Sequence, residues 1–466
     1  MKDVNWNQTD RWIVGESWVG AQFDRHLTEL CVNIGERWAS SEGERLAVEY
    51  IRGQYEAFGL DQARLDEFPL DTWEYSSAEG RAVDTGMQID ARPFHFCPPF
   101  DIEAPIVDAG YGFPHDLKTE LDALKGAIAV MNLGHEQFTP PMPLADRLNT
   151  LASKGAAAAV VVESKSGRRM EYHNGTDWRD VQPQALPLPV VTTSREHGAE
   201  LRRLAGQKGN LHLAVESRFL QDTGINTVAE LTGEKWPEHV LILGAHHDTV
   251  RGTPGGNDNA SGICAVLETA RVLSALKDEL GQPPGCTIRF TTWSAEEQGF
   301  QGSNAFVEKY CSSGGNSESP GLPRLAINLD ELASGTIKGL VLAFPHLRPY
   351  IQSILDELGD GYRCHVMSQL DASSDHFPFL RRAIDAAHCW RWRFHGRHPD
   401  SDFHHEAGDT IDKVRTKELK EYVAFLTRLL LRLSWETPDQ WPDNPVTEQE
   451  VLARLEKERG QEVRVM

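Results

Sequence analysis

The chain has 466 residues, and 47 basic against 69 acidic side chains leave a formal net charge of -22. Acidic groups spread along the whole length repel phosphate backbones and anionic bilayers, which argues against nucleic acid or membrane partners and suits a soluble protein. The length allows two or three domains with full cores, seven cysteines without paired spacing read as reduced thiols, and residues 1–5 lead into a polar stretch with no leader-like apolar segment, so the expected location is the cytoplasm.

Ser41-Glu42-Gly43-Glu44 is a capping-box signature, and Ala47, Tyr50, Ile51, Tyr55 and Phe58 then recur on one helical face before Gly59. This predicts a helix packed on a sheet. Residues 85–216 change in character. They carry the apolar run Ala127–Met131, a helix-like segment ending in Lys154-Gly155, a strand-like run from Ala156 to Val162, and Leu186-Pro187-Leu188-Pro189-Val190-Val191. This reads as a smaller inserted α/β domain whose expected contribution is to wall a cleft or restrict access to it.

Residues 239–245 form a short, nearly continuous apolar run, the pattern of a buried parallel strand, with His246-His247-Asp248 at its carboxyl end. After the turn 255–259, Ile263, Val266, Leu267, Ala270 and Leu273 recur at helical spacing, which places Asp258 in a strand-to-helix loop. Residues 286–293 read as a second strand, followed by Glu296-Glu297, and residues 325–329 as a third, delivering Asp330. Three strand ends thus converge on one sheet edge, where open α/β sheets bind ligands. Residues 417–434 have a leucine-rich helical pattern. From 436 the chain, with Pro438, Pro442 and Pro445, reads as a linker before a last charged helix capped by Thr447-Glu448-Gln449-Glu450. There is no internal repeat.

His246-His247-Asp248, Asp258, Glu296-Glu297, Asp330 and His405 offer imidazole nitrogen and carboxylate oxygen, the ligands of zinc. Each piece alone has a blander reading as a polar loop, a solvated pair, a helix cap or a surface histidine. Their joint order at strand ends favours a two-metal hydrolase, since five ligands with one shared suffice for two ions. Neither a Gly-x-Ser-x-Gly elbow nor a cysteine in a catalytic setting offers a rival nucleophile.

The segments 244–250, 254–262, 294–299, 328–330, 374–379 and 405–410 closely resemble, in order, the motif series of the M28 peptidases, the zinc aminopeptidase and glutamate carboxypeptidase group. The resemblance covers residues 15–84 and 217–435, while 85–216 is similar to the protease-associated domain inserted in some members. It implies a mixed, mainly parallel sheet sandwiched by helices, with a discontinuous catalytic domain (1–84 and 217–435), the insert (85–216) and a C-terminal tail (436–466). It implies two Zn2+ per chain: Asp258 bridging, Glu297 and His405 on one ion, His246 and Asp330 on the other. Asp248 would orient His246, Glu296 would be the general base, and the peptide after Asp258 would be cis. Asn257 departs from the commoner acidic residue, and His247 fills a variable position. His404 beside His405 leaves an ambiguity that the spacing to Asp409-Thr410 resolves towards His405. His376 reads as structural.

The implied activity is binuclear zinc-dependent exopeptidase action on peptides, with an aminopeptidase ahead of a dipeptidase or carboxypeptidase. A one-zinc glutaminyl-cyclase-like acyltransferase and a catalytically dead scaffold are the alternatives, and a homo-oligomer stays open. Finally, Cys389–His398 interleaves Trp and Arg. That pattern fits a strand with one buried face, and the sharper reading has Arg391, Arg393 or Arg397 pairing with a substrate carboxylate through a two-point fork.

Overall fold

The apolar run at 239–245 becomes the centre of the strand Trp236–His246, in a computed structural model that describes residues 5–118, 121–134, 138–139, 142–175, 186–311, 323–335, 337–359, 364–391 and 402–458. The chain divides into two compact units: Met1–Leu70, Thr223–His395 and Ala407–Leu455, and Asp71–Asp222, Gly396–Glu406 and Glu456–Met466. This division runs at 70/71 and 222/223, where the sequence pattern placed the edges at 84/85 and 216/217. It also assigns Gly396–Glu406 to the second unit.

In the first unit the sheet order is His365–Ser368, Ile337–Leu342, Ala386–Arg391, Leu325–Asn328, Trp236–His246, Cys286–Trp293, then the carboxyl-terminal part of Asn210–Leu231. Leu325–Asn328 and Cys286–Trp293 flank Trp236–His246 in parallel, and Leu325–Asn328 also runs parallel to Ala386–Arg391. Two pairings are antiparallel, Ile337–Leu342 with Ala386–Arg391 and Cys286–Trp293 with residues 227–231. The sheet is therefore mixed and mainly parallel, as expected.

Alternation along the strands assigns their faces. Leu241, Leu243, Ala245, Ile288 and Phe290 join a core with residues of the helices Ser261–Leu280 and Thr416–Trp435. On the other face Trp293 packs edge-on to Phe306 of Gln301–Tyr310 and against Phe379 of His376–Arg381. Helices thus cover both faces, as buried parallel strands require. Gly244 makes room for that second layer, since a Cβ there would lie 2.3 Å from the buried Trp293 ring. Gly244→Ala is expected to cost about 1–3 kcal/mol by overpacking, read as a lowered Tm in thermal denaturation.

Ser41 caps the helix Glu42–Ala57 by accepting from the Glu44 amide at 3.2 Å, and Glu44 Oε2 accepts from Ser40 N at 2.6 Å. The segment after 436 is not a free linker. Trp441 meets Tyr350 edge to face, Asn444 Nδ2 donates to Ala383 O at 3.0 Å, and Val451 of the capped helix Glu448–Lys457 is buried. Aromatic and hydrogen-bonding side chains between the prolines dock it, an effect that composition does not show.

The second unit has its own core. Phe100–Asp108, Ile128–Asn132, Ala158–Val162 and Val190–Thr193 pair in parallel sequence, with Arg92–Pro93 antiparallel at one edge and residues 210–215 at the other. The helices Leu144–Ser153 and Arg195–Gly206 accompany them. All seven cysteines are buried free thiols, and no helix among the described residues is long and apolar enough to cross a membrane.

Candidate metal centre

His246 ends the central strand and is 1% exposed. Its Nδ1 lies 3.1 Å from the main-chain carbonyl of Asp248. A proton held there leaves Nε2 with a free lone pair when the ring is neutral. Nε2 faces Asp258 Oδ1 at 3.2 Å and Asp330 Oδ1 at 3.4 Å. Two ligands each about 2.0–2.1 Å from one tetrahedral ion are separated by about 3.4 Å, so these spacings fit a cation between the three side chains. His246 also shares a cluster of ligand atoms, all within 4.8 Å of one another, with Glu296 and Glu297.

Asp248 was expected to orient His246, and the Asp248 atom nearest the ring Nδ1 is its backbone carbonyl oxygen. Its carboxylate instead accepts from the amides of Glu296 at 3.1 Å and Glu297 at 3.2 Å, while the ring Nδ1 stands 3.5 Å away. One buried aspartate therefore couples the first strand end to the second. Asp409 does the same for the loop after the first strand: its two carboxylate oxygens accept from the amides of Asn257 at 2.8 Å and Asp258 at 2.9 Å. The peptide Asp258-Asn259 is cis, as the resemblance implied. Asn259 then ties this loop to the third strand end, donating to Leu329 O at 2.9 Å and accepting from the Glu331 amide at 3.2 Å.

Two further supports were invisible in the sequence. Arg37, fully buried, donates to the carbonyls of Leu30, Gly35, His247, Pro254 and Gly255 at 2.8–3.1 Å. It holds the loop that leads to Asp258. Glu44, the capping-box glutamate, also reaches His247 Nε2 at 3.3 Å and accepts from Ser294 Oγ, while His247 Nδ1 lies 2.9 Å from Thr292 Oγ1. No local pattern marks Arg37, because its acceptors lie as far as 218 residues away. Arg37→Ala would orphan several buried carbonyls and is expected to cost at least about 3 kcal/mol. Arg37→Lys should not rescue it, since one ammonium cannot span the fork; chemical denaturation of both variants checks this.

The electrostatics show why this pocket suits cations. Burial, then repulsion from Glu297, Asp375 and Asp330, pushes the Glu296 carboxyl well above the usual carboxylate range, against the pull of His246. Burial would lower His246, but Glu296 and the hydrogen bonds to Asp248, Asp258 and Asp330 hold it well above its ordinary value. Burial, with repulsion from Asp248 and Asp330, also raises Asp375 to about 8 despite His246 and Ser303. So many carboxylates around one imidazole are a donor set with an excess of negative charge, which divalent cations neutralise.

The structure therefore brings His246, Asp248, Asp258, Glu296, Glu297 and Asp330 together in the first unit. His405 belongs to the second, where its backbone is left-handed (φ 54°), its Nδ1 lies 3.0 Å from Tyr172 O, and its ring stacks on His404 at 3.6 Å. The next residue, Glu406, is held by Lys165 at 2.6 Å and by Arg169 at 2.6 Å. Arg393 and Arg397 lie outside the described residues. Of Arg391 only the backbone is described, as the last residue of its strand.

Residues 226–429 match the model of peptidase family M28, and residues 102–201 that of the PA domain. A probable lipoprotein aminopeptidase, LpqL, of Mycobacterium tuberculosis is 28% identical over 61% of this chain and 54% of its own length. Carboxypeptidase Q of Rattus norvegicus is 25% identical over 60% of this chain and 59% of its own. For both, the match spans less than two thirds of the relative. Among solved structures, BSAP, a zinc aminopeptidase from Bacillus subtilis, aligns with a TM-score of 0.70 at 21% identity, covering 91% of this chain and 97% of that one. A peptidase M28 precursor from Shewanella amazonensis aligns with a TM-score of 0.74 at 18% identity, covering 96% and 100%. At these identities the structural likeness speaks for the fold.

Proposed function

We propose that the chain, whose residues 226–429 match the model of peptidase family M28, is a zinc-dependent exopeptidase, an aminopeptidase using two zinc ions. The observation that carries the reading is His246 Nε2 set 3.2 and 3.4 Å from Asp258 and Asp330, beside Glu296-Glu297. In this reading, which for His405 follows the family resemblance alone, His246 and Asp330 would hold one ion, Glu297 and His405 the other, and Asp258 would be shared by both. Bound zinc supplies Lewis acidity at the scissile carbonyl and lowers the pKa of water towards about 7.

The chain's own residues do the rest. Glu296, free of the ligand set but fixed through its amide by Asp248, takes the proton of the attacking water and returns it to the leaving amine. Asp248 and Asp409 keep their strand-end loops in register, so ligands and base hold one geometry. Peptides are the substrate class this chemistry serves. The carboxypeptidase alternative draws support from the likeness to carboxypeptidase Q.

Metal analysis and a substrate panel test the proposal together. Aminoacyl anilides and longer peptides hydrolysed from the amino end support an aminopeptidase. Cleavage confined to dipeptides moves the assignment to a dipeptidase. A single zinc with cyclisation of amino-terminal glutamine would replace it with the acyltransferase, and a metal-loaded protein inert on every substrate would leave only a binding scaffold.

A further inference from the structure

A second group of ligand-type side chains, outside the proposed catalytic set, lies in the first unit. Donor atoms of Asp371, His376 and His388 all fall within 4.8 Å of one another. His388 sits on Ala386–Arg391, in register with Asn328 of the neighbouring strand, and His376 opens the helix His376–Arg381. Asp371 precedes them in a shaped loop, accepting from the Ser373 amide and hydroxyl at 3.0 Å each, and Asn328 Nδ2 donates to Ser374 Oγ at 2.7 Å. His388 Nε2 stands 3.6 Å from Asp371 Oδ2, and the two imidazole rings are 4.4 Å apart.

The independent sign of a ligand is His376. It is 2% exposed, yet neither ring nitrogen has a partner of good hydrogen-bond geometry among the described residues, the backbone of Asp371, itself in the group, being within reach of it. A buried polar group left unmatched is costly, a penalty that a cation accepting one lone pair removes. The 3.6 Å spacing of His388 and Asp371 is close to the roughly 3.4 Å between two ligands of one tetrahedral zinc. Two imidazoles and one carboxylate are also a donor set that suits zinc, with water completing four-coordination.

We propose that Asp371, His376 and His388 form a further zinc site, separate from the catalytic pair. The ion ties the loop at 371–376 to the strand Ala386–Arg391, next to the strand that delivers Asp330. It needs no residue of the proposed catalytic set.

The test is metal stoichiometry of the full chain loaded with Zn2+ and desalted. Expected are three zinc ions in the wild type, two in His376→Asn and in His388→Gln, and one in Asp258→Ala, which empties only the catalytic pair. Equal zinc counts in the wild type and both histidine variants overturn the proposal. If those variants do not fold, Asp258→Ala decides: one retained zinc supports the site, and none overturns it. A wild type that holds a single zinc, lost in His388→Gln and kept in Asp258→Ala, would overturn the binuclear catalytic reading and leave this one standing.

Discussion

Glu296→Gln is expected to keep the wild-type zinc content while kcat falls by about two to four orders of magnitude, the range for loss of a positioned general base. The substitution is nearly isosteric, and Glu296 is anchored through its backbone amide to Asp248, so the loop should hold its place. Glutamine cannot take a proton from water. The loss should therefore fall on kcat with KM little changed, because the proposed mechanism gives this carboxylate the water's proton and no part in holding substrate. A variant turning over at the wild-type rate would remove Glu296 from the mechanism, and one that lost zinc would make it a ligand.

Asp258→Ala is expected to abolish measurable hydrolysis together with catalytic zinc. Asp258 is the carboxylate the proposal gives to both ions, and its Oδ1 stands 3.2 Å from His246 Nε2. Its amide remains held by Asp409, so the loop keeps an anchor and the loss reads as a missing ligand. The check is elemental analysis of the desalted protein beside the rate, with circular dichroism to show the fold. Retention of two zinc ions at the catalytic centre would disprove the bridge. Asp409→Ala should be milder: the amides of Asn257 and Asp258 lose their acceptor, lowering zinc affinity by about 10–100-fold as for other supports of metal ligands.

The strands were legible because a buried parallel strand is a short apolar run with a polar end. Cys286–Trp293 has the bounds that pattern suggests, and His246, Asp258, Glu296-Glu297 and Asp330 follow strand ends or open a helix as read. Helices announced themselves through local chemistry, Ser41 with Glu44 and Thr447 with Glu450, since a cap is satisfied within three residues. The arginine-rich stretch after Arg391 gave a pattern without placing any side chain.

What the sequence by itself determined is therefore whatever is written in neighbours: periodicity, caps, and ligand-type residues at the ends of apolar runs. The supports of the site are written in long-range contacts. Arg37 gathers carbonyls from 30 to 255, Glu44 meets His247 and Ser294, Asp409 holds Asn257 and Asp258, and His376 comes to rest beside His388, both ring nitrogens unmatched among the described residues. Each is an ordinary polar residue locally. Only burial, which makes an unmatched polar group costly, together with a topology that brings separate strand ends to one edge, gives these residues their partners.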